Sequence, residues 1–132
     1  MPQANVEIMR AALDAFNRRD GKAFGALLDR DAEIVPVRAA LEGVTFRGAD
    51  AGEQYCATAA ETWAELRWEV DEIRVGDDWV VAVGQILGKG RGSGAAIDTR
   101  AGWVARFQAG LIVKFETHSD RRQALKAVGL EE

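Results

Sequence analysis

Residues 68–107 read WEVDEIRVGDDWVVAVGQILGKGRGSGAAIDTRAGWVARF, and residues 111–119 continue as LIVKFETHS. Apolar and polar residues alternate through most of this stretch, and a period of two is typical of β-strands, whose successive side chains point to opposite faces. Three short segments that contain glycine interrupt the alternation and predict turns: GDD, KGRGSG and QAG. We therefore predict an antiparallel meander of four strands, at residues 68–75, 78–88, 95–107 and 111–119.

The region before these strands has helical periodicity. Apolar residues at steps of three and four predict a first amphipathic helix, with Asn5 as its N-cap: Val6, Met9, Leu13 and Phe16. The segment KAFGALL predicts a second, shorter helix over 22–28. A turn at 29–33, a short strand EIVPV at 33–37 and a loop at 38–48 are expected to follow.

Two further helices carry recognisable end signals. Asp50 and Glu53 have the spacing of a capping box, and a helical stripe follows them: Tyr55, Ala59, Trp63 and Leu66. In the last helix, Asp120 and Gln123 fit a second capping box. Gly129 fits the left-handed position of a Schellman motif, in which Leu130 folds back onto Leu125. Three helices before a curved antiparallel sheet, with a short C-terminal helix, predict an α+β fold.

Composition limits the classes of function. The chain has 132 residues, of which 48% are hydrophobic and 29% charged, and these values predict one globular domain over residues 1–132. The formal net charge of −4 argues against nucleic acid as a partner. A single cysteine, Cys56, excludes an internal disulfide and a cysteine metal cluster. With no signal sequence or long apolar run, we expect a cytoplasmic protein that binds no metal or cofactor and no membrane.

Four segments together resemble the SnoaL-like branch of the nuclear transport factor 2-like superfamily. They are NVEIMRAALDAFNRRDGKAFGALLDRDAEIVP, GVTFRGADAGEQYCATAAETW, GRGSG and AGLIVKFETHSDRRQALKAVGL. The resemblance implies a cone-shaped, strongly bent sheet wrapped around helices, with an apolar pocket at its wide end. The superfamily includes polyketide cyclases, ketosteroid isomerase and limonene epoxide hydrolase, so the fold alone leaves the function open.

Alternation and helical spacing predict which side chains line that pocket. Five aromatic residues are expected to point into the cone, and two polar residues to accompany them: Phe16, Tyr55, Trp63, Trp103 and Phe107, with Gln85 and Thr117. The expected ligand is a small apolar molecule, cyclic or polyketide-like. One interpretation is a cofactor-free isomerase or cyclase, with Tyr55 or Trp103 as a hydrogen-bond donor. The alternative is a non-catalytic module that binds a ligand or a protein partner.

The residues most often used for acid–base catalysis have structural interpretations here. Alternation places His118 on the outer face of the last strand, unless a bulge turns it inward. Asp120 fits a helix N-cap. Asp98 and Arg100 fit an ion pair on the outer face. Their order is the reverse of the Arg-x-Asp pair that the resemblance to limonene epoxide hydrolase suggests. The catalytic carboxylate of those hydrolases aligns approximately with Thr117. Glu33 remains an edge candidate.

Two further features bear on partners. The glycines around Lys89 and Arg91 run into a strand and not a helix, so we interpret them as a hairpin loop and not as a phosphate site. The segment WVVAVGQIL is apolar on both faces, and we expect the helices to cover only one of them. This predicts a homodimer through the outer sheet face, with His118, Arg100 or Arg106 near the interface.

Overall fold

A computed structural model of the chain describes residues 2–37, 43 and 45–130. The described residues form four helices and six strands, in the order α1 (Pro2–Asn17), α2 (Gly21–Ala26), β1 (Leu28–Val35), β2 (Phe46–Arg47), α3 (Ala51–Thr62), β3 (Trp63–Val75), β4 (Trp79–Gly90), β5 (Ala96–Gln108), β6 (Leu111–His118) and α4 (Arg121–Ala127).

The strands form one curved, unclosed sheet in the order β2-β1-β6-β5-β4-β3. The last four strands are the antiparallel meander that the alternation predicts, and their turns lie at the predicted glycine-containing segments. β1 pairs with β6 in parallel and with β2 antiparallel. The α+β prediction is confirmed.

The first three helices cover the concave face of the sheet. Their apolar stripes pack with inward residues of the five longer strands into one buried cluster, against which Phe46 of β2 also packs. The cluster includes Met9, Phe16, Phe24, Tyr55, Trp68, Trp103, Phe107 and Phe115. Burial of that much apolar surface is the main force holding the helices against the sheet.

The convex face carries a second apolar cluster, which α4 covers. Val81, Val83 and Val104 pack there against Ala124 and Leu125. The prediction that the chain has helices for only one face is therefore wrong, because its own C-terminal helix covers this strip. The apolar strip thus gives no reason for a dimer, and homodimer formation stays a prediction.

The predicted Schellman motif and one half of the predicted capping box are present at the ends of α4, since the side chain of Gln123 contacts the Ser119 hydroxyl instead, at 3.2 Å. Asp120 accepts a hydrogen bond from the backbone N–H of Gln123 at 2.8 Å. At the other end the N–H of Leu130 donates to the carbonyl of Leu125 at 2.9 Å, and Gly129 has a φ of 81°. The Leu130 bond, together with the bond from the Gly129 N–H to the Lys126 carbonyl at 3.0 Å, defines the Schellman motif.

Several boundaries in the first half differ from the prediction. Asn5 is a buried residue inside α1 and not its cap. The predicted turn at 29–33 belongs to β1, and the predicted loop contains β2, while residues 38–42 and 44 lie outside the described residues. Asp50 precedes α3 without a side-chain capping bond. Trp63 begins β3 instead of continuing the helix.

A bulge at Val113 changes the faces of β6. Arg106 pairs with Lys114 but Phe107 pairs with Ile112, so one residue of β6 has no partner. Ile112 lies an even number of residues before His118, so alternation predicts the outer face for it as well. It is instead fully buried in the concave core, whereas Leu111 is exposed. An extra residue in one strand inverts the alternation on one side of it. Phe115 and Thr117 lie beyond the bulge and face inward, which confirms the prediction for Thr117.

Candidate functional site

A cavity of about 220 Å³ lies between α3 and the concave face of the sheet. Its lining is mainly aromatic and aliphatic, with several hydroxyl groups, and consists of Phe16, Pro36, Val37, Phe46, Tyr55, Thr58, Ala59, Thr62, Trp63, Leu66, Trp68, Ile86, Ile97, Thr99, Arg100, Thr117 and Ser119. An apolar concave site with a few polar groups is typical of small-molecule pockets.

A stack of aromatic rings forms one wall of this cavity. The rings of Phe16 and Trp68 are stacked, with centroids 3.6 Å apart and planes 7° from parallel. Tyr55 lies 5.3 Å from Phe16, and Phe46 lies 5.5 Å from Tyr55. Because α1, α3, β2 and β3 each contribute one ring, the tertiary fold and not a local motif builds this wall.

Arg19 supports the wall from outside the cavity. Its guanidinium carbon lies 5.0 Å from the centroid of the Phe16 ring. The guanidinium also donates to the carbonyls of Phe16 at 2.7 Å and Leu66 at 2.6 Å. Its backbone φ of 59° ends α1 in the left-handed region. Arg19 thus connects the end of α1 to β3 where both border the cavity.

The β4–β5 hairpin loop fixes another side of the site. Arg91 donates from its side chain to the carbonyls of Ala60 and Trp63, and its backbone N–H donates to Thr62 at 3.1 Å. The last carbonyls of a helix have no partner within the helix, and Arg91 satisfies those of Ala60 and Thr62. The loop therefore stops the helix directly before Trp63, which enters β3 on the cavity wall.

The hydroxyls of Tyr55 and Thr117 lie at the buried side of the cavity. Tyr55 is 8% exposed and Thr117 is 6% exposed. Burial raises the pKa of Tyr55 far above its ordinary value of 10, although the nearby Thr117 hydroxyl partly opposes this shift. Tyr55 consequently stays protonated at any physiological pH and can donate a hydrogen bond.

The described lining residues contain no carboxylate, histidine or cysteine. Arg100 is their single charged residue, and its guanidinium pairs with Asp71 at 3.1 Å in an exposed position. His118 faces outward as predicted, where its Nε2 lies 3.3 Å from Glu116. Glu33 pairs with Arg47 at 3.4 Å and does not line the cavity.

Four of the seven predicted site residues line the cavity together: Phe16, Tyr55, Trp63 and Thr117. The other three do not. Gln85 lies on the convex side of β4 and donates to Asp98 at 3.2 Å. Trp103 and Phe107 face the concave side but are buried in the core, and the indole Nε1 of Trp103 has no hydrogen-bond partner among the described residues.

Trp68 is the main lining residue that the sequence did not predict. It is 4% exposed and stacks against Phe16, with the ring of Phe115 6.1 Å away on another side. Leu66 and Trp68 have the period of two that places both on one face of β3, so alternation carried a signal for this site. Phe46 lies in the segment predicted as a loop, 38–48, and had no comparable signal.

The chain matches the family model of the SnoaL-like domain over residues 9–115. It therefore belongs to the SnoaL-like domain family. No curated protein matches it.

Solved structures show the same fold. A protein from Catenulispora acidiphila with a ketosteroid isomerase-like fold, in complex with trimethylamine, is 18% identical, with 94% of this chain and 93% of that chain covered and a TM-score of 0.77. TerC co-crystallised with polyporic acid is 19% identical, with 89% of this chain and 92% of that chain covered and a TM-score of 0.76. A nuclear transport factor 2-like protein from Burkholderia thailandensis is 27% identical, with 86% of this chain and 88% of that chain covered and a TM-score of 0.76.

Among the described residues, no helix is both long and apolar enough to cross a membrane.

Proposed function

We propose that this protein binds a small, apolar, cyclic organic molecule in the cavity between α3 and the sheet. The observation that carries the proposal is the aromatic lining, in which Phe16, Tyr55 and Trp68 present ring faces and edges around the same space. Transfer of an apolar ring from water to such a lining is favourable by roughly 25 cal/mol per Å² of apolar surface buried.

Two similar structures are consistent with small-molecule binding. One was obtained with trimethylamine and the other with polyporic acid. Each ligand is bound by the protein named with it. Because the sequences of those two proteins are less than 25% identical to this chain, they show only that the fold is shared. They support a small organic ligand as the class of partner.

Binding without acid–base catalysis is the interpretation that the described lining favours. Isomerisation or cyclisation through an enolate needs a base with a pKa near the working pH, within hydrogen-bond reach of the substrate. No described lining residue supplies one, since Tyr55 has a strongly raised pKa and the other hydroxyls are alcohols. The isomerase or cyclase interpretation therefore lacks its central residue in the described part of the site.

The indole N–H signals of the four tryptophans provide a direct test. A ¹H–¹⁵N spectrum would be recorded while 1-indanone, a small bicyclic ketone, is added up to its solubility. Trp63 and Trp68 border the cavity, so their signals should shift in a saturable manner. Trp79 lies on the convex cluster and serves as an internal control that should not move.

Single replacement by phenylalanine assigns each indole signal. A saturable shift confined to Trp79, or no saturable shift at any tryptophan, would contradict the proposed site.

A further inference from the structure

The hydroxyl of Thr117 is an unpaired polar group at the cavity. Its Oγ1 is buried, and no hydrogen-bond partner for it exists among the described residues. The residue lines the cavity and is 6% exposed. Buried polar groups are nearly always paired in folded proteins, and leaving one unpaired costs about 1–3 kcal/mol. An unpaired group of this kind on a cavity wall indicates that its partner comes from outside the chain.

Tyr55 adds a second hydroxyl beside it. The two hydroxyls lie close enough for Thr117 to favour the ionised form of Tyr55, yet they form no hydrogen bond of acceptable geometry. Each hydroxyl carries one proton to donate. If the Tyr55 hydroxyl donated to Thr117, the Thr117 O–H would still need an acceptor, and the described residues offer none in the observed geometry. A ligand oxygen beside the two hydroxyls would supply that acceptor.

The cavity also limits the size and shape of the ligand. Sites for drug-sized ligands usually measure about 300–1,000 Å³, and this cavity measures about 220 Å³. Its wall is formed by flat rings, with Phe16 and Trp68 stacked nearly parallel. One or two rings fit this space and shape.

Resting on the proposed function, we propose that the ligand is a one- or two-ring compound with a carbonyl oxygen, and that this oxygen accepts hydrogen bonds from Thr117 and Tyr55. Thr117 is then the residue that selects carbonyl compounds over hydrocarbons of the same shape. Selection arises because a hydrocarbon in the same position leaves the buried hydroxyl unpaired, whereas the ketone satisfies it.

The test compares 1-indanone with indane, which has the same two rings and no oxygen. Dissociation constants would be measured by ligand-observed NMR for the wild type and for Thr117→Val, Thr117→Ser and Tyr55→Phe. Valine has nearly the shape of threonine without the hydroxyl, and serine restores it. The wild type should prefer 1-indanone over indane, and Thr117→Val and Tyr55→Phe should each reduce that preference by about 3- to 10-fold. Thr117→Ser should keep most of it.

Each alternative outcome has a distinct meaning. If both probes bind the wild type equally well, or if the preference survives in both Thr117→Val and Tyr55→Phe, the carbonyl inference is wrong while the proposed binding function stands. If neither probe binds the wild type, the proposed function itself fails. Thermal unfolding of each variant checks its fold, and because Thr117 and Tyr55 are tested independently, loss of one variant leaves the other decisive.

Discussion

The side-chain amide of Asn17, at the end of α1, forms two hydrogen bonds with the backbone of Trp68 in β3. Its Nδ2 donates to the Trp68 carbonyl at 2.9 Å, and its Oδ1 accepts from the Trp68 N–H at 2.8 Å. β3 is the edge strand of the sheet, so these backbone groups have no neighbouring strand. Asn17 takes the place of that strand and holds Trp68 where its ring stacks on Phe16, the residue before Asn17.

Replacing Asn17 by alanine should therefore destabilise both the fold and the cavity wall. The change removes both bonds and leaves two part-buried backbone groups of Trp68 without partners, which predicts a loss of about 1–3 kcal/mol in the free energy of unfolding. Urea denaturation measures this loss. Gln3→Ala, an exposed change on the same helix, is the matched control and should stay within about 0.5 kcal/mol of the wild type. Equal stability of Asn17→Ala and the control would show that the two bonds contribute nothing.

The strands of the meander were predictable because alternation is a local property. When both faces of a strand are apolar, the local sequence does not show which face lies on the concave side of the sheet. In β4, Val80, Ala82 and Ile86 face the helices, so Gln85 lies on the opposite side with Val83. The sequence could place Gln85 with one set of side chains but could not say that α4 would cover that set.

The other differences also arise from interactions distant in the sequence. The helical spacing from Tyr55 extends through Trp63, but Arg91 caps the helix at Thr62 from a loop that is remote in sequence. The unpaired Val113 leaves no mark in the alternation. Trp103 and Trp68 both face inward, yet only Trp68 reaches the cavity, since the helices fill the rest of the concave face. Alternation predicts which face of the sheet a side chain lies on, but it does not predict whether that side chain reaches the cavity.

Gly102 controls how closely α4 approaches the sheet. A Cβ atom at this position would overlap with the Cβ of Ala124 in α4. Gly102→Ala should therefore displace α4 and lower the free energy of unfolding by about 1–3 kcal/mol, the usual cost of overpacking. Chemical denaturation of the single and double variants tests this contact. Ala124→Gly in the same chain should recover part of the loss, because it removes the overlapping atom. Strictly additive losses in the double variant would rule out the contact as the cause.

The thiol of Cys56 should be unreactive in the folded protein. The residue is 3% exposed, and burial raises the pKa of its thiol to about 11. The thiolate is the reactive form, so at pH 8 a disulfide reagent such as 5,5′-dithiobis(2-nitrobenzoate) should react at least tenfold more slowly with native protein than with protein unfolded in urea. Similar rates in the two states would mean that Cys56 is accessible in the native protein.

Glu116 connects the convex face of the sheet to α4. His118 Nε2 lies 3.3 Å from its carboxylate, and Arg106 Nε donates to it at 3.2 Å. Arg106 also donates to the carbonyl of Ala127, at the end of α4, at 2.7 Å. The contact with His118, followed by the charges of Lys114 and Arg106, lowers the pKa of Glu116 below its ordinary value of 4.5 despite partial burial.

This lowered pKa predicts how stability depends on pH. A carboxylate whose pKa is lower in the folded state binds fewer protons there than in the unfolded state, so its contribution is complete above about pH 5.5 and is lost as the pH falls through the folded-state pKa. Glu116→Gln should therefore be less stable than the wild type at pH 7, and its free energy of unfolding should decline less steeply between pH 5 and pH 3. Glu65→Gln, an exposed change on β3, is the control and should keep the wild-type slope. Hydrogen exchange gives a local readout: the amides of α4 should exchange faster in Glu116→Gln at pH 7, because Arg106 loses the carboxylate that orients it toward Ala127. A slope in Glu116→Gln as steep as that of the wild type would show that this carboxylate has the same pKa in both states.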